Sequence, residues 1–451
     1  MKTDTKPEKS NLKRPVIYIA RDIERALGMM MPTANTGHIS DYYIIAGRTA
    51  YAEEIQKKYP DNVMLAGDLL DTHEILIVPE VAAEIDRRTK KDNAAILVFK
   101  NTLQIERIAR EKGWTLLNPS AELAEKIENK ITQAAWLGDL AKYLPEHKVV
   151  KVRDIVAGAK GTPFAFPFIM QWAHSHTGDG TILVSKQPEL DKIAAIFPDR
   201  EARVSQYIQG PTFTTNVVAG MKSPNISYQI TGMLPFTENP WSTVGNDWSL
   251  PHSLLTEEHV ATIDNICSEV AERMSKAGWR GLFGLDFMHD MERDRIHLLE
   301  INARQPASTT YESQLQMHIR SHGVPGLTTF ETHLQSLTGS AAKSAAQSLE
   351  LIPLNDGAQI IQRVAKPLLA QTTIPTEEIF GKLESAGYAF IQYENLTPNS
   401  DKLRIQCARG IMEAHNKFNK RGKQILEIMM GVEETEDEEM EEEVEAGNEE
   451  E

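Results

Sequence analysis

The sequence predicts a multidomain chain of α/β and α+β class, and three observations carry that prediction. From Arg14 to about residue 125, short apolar runs alternate with amphipathic stretches, the pattern of a layered α/β unit with a largely parallel sheet. From Phe166 onward, several apolar runs are joined by short turns, as strands of antiparallel sheets are. The length of 451 residues, 41% of them hydrophobic, suffices for two or three domains with a sizeable core.

In chain order, "PVIYIA", "DYYIIAG", "NVMLAG", "EILIVPE" and "AAILVFK" read as the strands of the first unit. "NTLQIERIAREKG" reads as a helix with Asn101 as N-cap, an apolar face of Leu103, Ile105, Ile108 and Ala109, and Gly113 as its stop. A second helix spans "AELAEKIENKITQAAWLGDLAKYLP" and ends at Pro145. "FPFIMQWAHSHTGDGTILVSK" predicts a hairpin turning at Gly178-Asp179-Gly180, and "ARVSQYIQGPTFTTNVVAG" two strands kinked at Gly210-Pro211. "TEEHVATIDNICSEVAERMSKAGW" is a helix capped by Thr256, apolar at Val260, Ile263, Cys267, Val270 and Met274, with Gly278 behind it. "GLFGLDFMHDMERDRIHLLEINAR" is a strand, a polar turn and a strand. A linker, "TGSAAKSAAQS", leads to three further runs, "AQIIQRVAK", "YAFIQYE" and "KLRIQCARG", which predict a small β-rich subdomain.

Charge and cysteine usage narrow the function classes. The formal charge is −16, but 13 of the last 19 residues are acidic, so the remainder carries only −3 and offers no basic stripe for nucleic acid. That tail cannot bury apolar surface and is expected to be disordered. The charged start "MKTDTKPEKSNLKR", followed by a five-residue apolar run, predicts neither signal peptide nor membrane span, hence a cytoplasmic protein without a membrane partner. Cys267 and Cys407 are far apart and lack C-x-x-C spacing, which argues against a disulfide framework or a structural zinc site.

The stretch "HLLEINARQPAST" places Glu300, Asn302 and Arg304 at every second position, on one face of a strand. Ile301 and Ala303 then pack behind. A hairpin centred near Arg293 sets Asp286 opposite or diagonal to Glu300, and two facing carboxylates repel unless a cation lies between them. Asp, Glu and Asn are all-oxygen ligands of the kind Mg²⁺ prefers, and a guanidinium one pleat beyond gives bidentate contacts to phosphate. Gly281 and Gly284 beside Asp286 allow a close approach.

With these parts in this order, the chain resembles the ATP-grasp superfamily over roughly residues 115–335: "GLFGLDF" with "LLEINAR" resembles its magnesium-binding strand pair and "HTGDGT" its glycine-rich phosphate loop. The resemblance implies a Rossmann-like α/β domain preceding the ATP-grasp unit (14–125) and the ATP-grasp domain (126–335) with a lid at about 148–212; residue pattern alone adds a flexible N-terminus (1–13), the small C-terminal β-rich subdomain (350–430) and the acidic tail (431–451). It implies Asp286, Glu300 and Asn302 as ligands of one or two Mg²⁺ ions, with Mn²⁺ as a substitute, and Arg304 as the catalytic residue that stabilises the transferring phosphoryl group or a tetrahedral intermediate. Nucleotide contacts are implied at Lys130, in a helix resembling the family's "DK" helix but with Asn129 for the aspartate, and at Gln171, His176, Gly178 and Gly180. In "SQYIQG", Gln206, Tyr207 and Ile208 resemble the hinge that holds adenine.

Two positions depart from the family pattern. Gln171 stands where a lysine usually closes the strand before the phosphate loop, and a neutral amide cannot replace that charge; His174, His176 or Lys186 are candidates to compensate. Ser205 and Thr212 stand where hinge glutamates are frequent.

The activity implied is an ADP-forming ligase that joins a carboxylate to an amine, an amino acid or a peptide, through an acyl phosphate, using ATP and small-molecule substrates and assembling as a homodimer. The alternatives are a catalytically weakened ATP-binding regulatory or scaffold protein, to which Gln171 points, and a biotin-carboxylase-like enzyme, from which "QPASTTYES" after Arg304 departs. Arg21 and His38 are candidate carboxylate holders.

Overall fold

The computed structural model describes residues 12–30, 39, 41–68, 70–155, 165–173, 180–219, 223–339, 350–365 and 376–431. The N-terminal residues 1–11, His38, His174, His176, Gly178 and the acidic tail from residue 432 lie outside them.

Four strands, β1 (Val16–Ala20), β2 (Tyr42–Arg48), β3 (Val63–Asp68) and β4 (Ala95–Val98), form a parallel sheet in the order β3-β2-β1-β4. Helices α1 (Ala50–Lys58), α2 (Thr72–Ile75), α3 (Pro79–Asp92) and α4 (Leu103–Lys112) connect and cover them. Alternate residues serve separate cores: Ile17, Ile19, Ile45 and Ile96 pack with Val81, Ile85, Ile105 and Ile108, while Tyr18, Ile44 and Leu97 face the other way.

Two sequence expectations fail in this unit. "EILIVPE" is no strand: Asp71 and Glu74 form a capping box that starts α2, and Pro79 opens α3, so local capping overrides an apolar run that has no strand partner. The cap of α4 is Thr102, whose hydroxyl accepts from the Ile105 N–H at 3.2 Å, while the Asn101 amide donates to Glu106 and Pro119 instead; Leu103 is exposed.

The expected long second helix is broken. α5 (Ala121–Glu128) stops at Asn129, whose extended backbone (φ −66°, ψ 117°) ends one helix and caps the next, α6 (Lys130–Leu137). The Asn129 side chain accepts from the Ile131 N–H at 2.9 Å, and the Lys130 N–H donates to Ala173 O. A 3₁₀ segment, Gly138–Tyr143, follows.

A second sheet is antiparallel, with β5 (His147–Lys151), β6 (Phe168–Gln171), β7 (Thr181–Val184) and β8 (Glu201–Gln206) in the order β5-β8-β6-β7. α7 (Gln187–Ile196) lies between its last two strands in sequence. This sheet falls within the residues 148–212 for which a lid is expected, apart from the first residue of β5, and has its own small core around Phe168, Met170 and Val204.

The third sheet has eight antiparallel strands in the order β13-β12-β9-β10-β11-β14-β16-β15. Its members are β9 (Thr212–Val218), β10 (Ile226–Thr231), β11 (Thr243–Asp247), β12 (Leu282–Asp290), β13 (Arg295–Asn302), β14 (Ala358–Arg363), β15 (Ala389–Gln392) and β16 (Asp401–Cys407). The three C-terminal runs are strands as expected, but they extend this sheet rather than form a subdomain of their own, because β14 pairs directly with β11. After α8 (Pro251–Leu254) comes α9 (Glu257–Lys276), capped by Thr256, which packs Ile263, Val270 and Met274 into one core with Phe283, Leu285, Phe287 and Leu298.

α10 (Thr309–Ser321) and α11 (Thr329–Thr338) return to the first sheet, where Phe330 and Leu334 join the core of Tyr18 and Ile44. Phe330 lies so near Gly28 that an added Cβ there would be 2.3 Å from its ring, so only glycine fits. On α10, Glu312 is buried and accepts hydrogen bonds from Thr329 Oγ1 (2.5 Å), Asn216 Nδ2 (2.6 Å) and Trp248 Nε1 (3.4 Å); burial pushes its carboxyl up to about 7. A buried ion network joins Glu24, Arg25, Asp401 and Arg404: Arg404 donates to Glu24 (3.2 Å) and Asp401 (2.8 Å), and Arg25 to Asp401 (2.9 Å). The two cysteines are free and buried, and burial pushes both thiols up to about 12. No helix among the described residues is long and apolar enough to cross a membrane.

Candidate functional site

The hairpin of β12 and β13 pairs Asp286 directly with Glu300, and Gly284 with Asn302. The register slips beside this pair, leaving Leu299 as a bulge residue whose carbonyl is released from the ladder. Leu285 and Ile301 point into the core, so both carboxylates face the opposite side. Gly284 leaves room for Pro306 and the Asn302 side chain, the nearest atoms to an added Cβ there, so what approaches closely is the protein itself.

Strand β13 ends at Asn302, and Arg304 sits beyond it in a tight turn, its N–H donating to Asn302 O at 2.8 Å. The expectation of three residues on one strand face is thus corrected at Arg304. The guanidinium nevertheless folds back to donate to Asn302 Oδ1 (2.9 Å) and to Glu128 Oε1 (3.3 Å). Asn302 Nδ2 and Gln229 Nε2 donate to the two oxygens of Asp286, at 2.9 and 3.0 Å.

Lys130, at the head of α6, is buried and ion-paired with Glu300. The break at Asn129 aims it there: a continuous helix would carry residue 130 along the face set by α5. Burial and the neighbouring Glu300 charge hold the Asp286 carboxyl well above the usual range. For Glu300, burial pushes upward but the Lys130 ammonium outweighs it, and its carboxyl lies below the usual range. Two facing carboxylates with only one adjacent ammonium form an all-oxygen donor set short of positive charge, which fits a hard divalent cation.

The remaining expected residues divide. Gln171 lies on β6 opposite Arg203 of β8, and Arg203 is the residue that sequence reasoning missed. Its guanidinium is 4% exposed and donates to Gln171 Oε1 (2.7 and 3.1 Å), Gln133 Oε1 (3.3 Å) and Leu299 O (3.1 Å). Gly180 immediately precedes β7, and its carbonyl accepts from the Trp172 N–H. Lys186 is exposed and lies 3.9 Å from Glu189. Among the described residues no backbone–backbone hydrogen bond involves Tyr207 or Ile208, the residues expected at the adenine hinge. Beside it a cavity of about 810 Å³ is lined by Gln206, Tyr207, Leu144, His147, Arg293 and His297. Arg21 is spent on Asp71 (2.9 Å), and Gln305 binds the first unit, accepting from Tyr18 and donating to Arg25 O.

The arrangement has relatives. No protein-family model matches the chain. A D-alanine–D-alanine ligase of Pseudomonas entomophila is 30% identical over 186 residues, 40% of this chain and 55% of the ligase, so the match spans about half the length of that relative. An N5-carboxyaminoimidazole synthetase of Staphylococcus aureus complexed with ADP superposes with a TM-score of 0.56 at 12% identity, over 94% of this chain and all of that one. The corresponding synthase of Aspergillus clavatus, in complex with ADP and an aminoimidazole ribonucleotide, gives 0.55 at 15% identity over 94% and 99%. A biotin carboxylase of Campylobacter jejuni gives 0.56 at 14% identity over 87% of each chain. The chain therefore has the ATP-grasp fold, that of ATP-dependent ligases and carboxylases, preceded by a parallel α/β unit and completed by antiparallel sheets.

Proposed function

We propose that this protein is an ATP-dependent, ADP-forming ligase that joins a carboxylate to an amine. The observation that carries the reading is the facing Asp286–Glu300 pair, with Lys130 ion-paired to Glu300 and Arg304 held on Asn302, which itself bonds Asp286. A substrate carboxylate oxygen attacks the γ-phosphorus and ADP leaves; the amine then attacks the acyl carbon and phosphate leaves. Asp286, Glu300 and Asn302 would hold Mg²⁺, which would supply charge neutralisation to the phosphates. The Lys130 ammonium, fixed by the start of α6, meets the phosphates. Arg304, braced by Asn302 and Glu128, opposes the charge that develops on the transferring group or on the tetrahedral carbon. The backbone of Tyr207 and Ile208 reads the adenine edge.

ADP release with Mg²⁺-ATP and a panel of amino acids and short peptides, run beside Glu300→Ala, tests this. Substrate-dependent ADP that vanishes in the variant supports the ligase. ATP binding with no ADP from any panel member supports the second reading, an ATP-binding regulatory protein, which the neutral Gln171 favours.

A further inference from the structure

Arg203 is a buried cation with no anion of its own. Its four hydrogen bonds all end on neutral acceptors, two of them amide side chains and one a backbone carbonyl. Among the described residues no carboxylate lies within ion-pair distance of it, and Glu300, whose charge it senses, is already paired with Lys130. Removing a guanidinium from water without a partner is unfavourable, and burial accordingly lowers its pKa to about 10. A mid-strand arginine kept in this state is explained if an anion joins it in the working protein.

The acceptors show where that anion lies. Gln171 closes the lid strand β6, Gln133 is one turn along α6 from Lys130, and Leu299 is the bulge residue adjoining Glu300. Lid, helix and metal hairpin meet at this guanidinium, and one Nη1 hydrogen is left over after its four bonds. Gln171 and Arg203 are also Cα partners across two adjacent strands, so a cation on β8 reaches the space that a lysine at 171 would.

We propose that Arg203 supplies the phosphate-facing charge that Gln171 lacks, with Gln171 as the positioning residue that fixes the guanidinium plane through Nε and Nη2. The inference rests on the ATP reading above. Charge has moved one strand across within the same site, and the site is not a weakened one.

The test is calorimetric binding of Mg²⁺-ATP, Mg²⁺-ADP and adenosine to the full chain and to Arg203→Leu, Arg203→Lys, Gln171→Lys and the double variant Gln171→Lys/Arg203→Leu, with thermal unfolding of each. Arg203→Leu should weaken ATP and ADP at least tenfold and leave adenosine within twofold, and the double variant should recover most of the loss. Gln171→Lys alone, which sets two cations side by side, should not tighten ATP. Equal ATP affinity in Arg203→Leu and the parent overturns the inference, as does an equal loss for adenosine or a folded double variant that recovers nothing. If Arg203→Leu fails to fold, Arg203→Lys and the double variant decide, since both keep one cation and should bind ATP within about threefold of the parent. A parent that binds no nucleotide overturns the ATP reading itself, whereas a parent and an Arg203→Leu variant that bind ATP equally well overturn only this inference.

Discussion

Replacing Glu312 by glutamine should abolish the pH dependence of stability at one buried position. The native carboxyl titrates at about 7, raised by burial, against roughly 4.3 for an exposed glutamate. Between those values the folded protein keeps a proton that the unfolded chain has released. The stabilising difference is fully present below about 4.3 and is lost as the pH rises through 7, nearly 4 kcal/mol in all at ~1.4 kcal/mol per unit and about 3 kcal/mol of it between pH 4.5 and 8. Glutamine has nothing to titrate and still accepts from Thr329 or Asn216, so Glu312→Gln should gain on the parent by that amount between pH 4.5 and 8. At roughly 2 °C per kcal/mol, the gap in Tm shifts by about 6 °C. Thermal unfolding of both proteins across this range measures it. A gap constant to within a degree would mean that Glu312 is ionised throughout, and the burial argument would fail.

Glu300→Gln should lower substrate-dependent ADP release on the order of 100-fold or more, read by a coupled ADP assay, and should also lower Tm, because the buried Lys130 ammonium loses its partner. Asp286→Asn removes the repulsion across the hairpin and should raise stability without metal on the order of 1 kcal/mol, yet abolish any Mg²⁺-induced rise in Tm. Asn129→Ala deletes the cap that starts α6, at a cost of about 1 kcal/mol, and loosens Lys130; nucleotide affinity should fall with it in the same calorimetric assay. Arg404→Met strips the charge that neutralises buried Glu24 and Asp401 and should cost about 3 to 5 kcal/mol, visible as a lowered unfolding midpoint.

Much of this molecule is legible from residue pattern because its signals are local and strong. The four parallel strands, the Thr256 cap and the Asp286–Glu300 hairpin each rest on periodicity or turn chemistry that tertiary packing does not override. "EILIVPE" misleads because an apolar run of that length suits a strand and a buried helical corner equally, and only the capping pair Asp71 and Glu74 separates them. The break at Asn129 carries no proline or glycine, although an asparagine before a run of apolar residues is a cap signal. Arg203 is beyond local reading altogether: a single basic residue in "ARVSQ" looks solvent-facing until β6 is laid beside β8. Its one sequence trace is the two-residue alternation that puts Arg203 and Ser205 on one face, opposite apolar Ala202 and Val204.

The continuous eight-stranded sheet sets a limit on how the chain can be shortened. A polypeptide cut after Gly339 would keep every expected site residue yet lose β14, β15 and β16, exposing the whole edge of β11. Asp247, fully buried at the end of β11, would lose the Ile411 and Met412 N–H donors that now solvate its carboxylate at 2.7 and 2.9 Å. The late part of the sequence therefore closes the sheet that carries Asp286 and Glu300, and a shortened chain has to extend through Met412 to keep the β11 edge paired and Asp247 solvated.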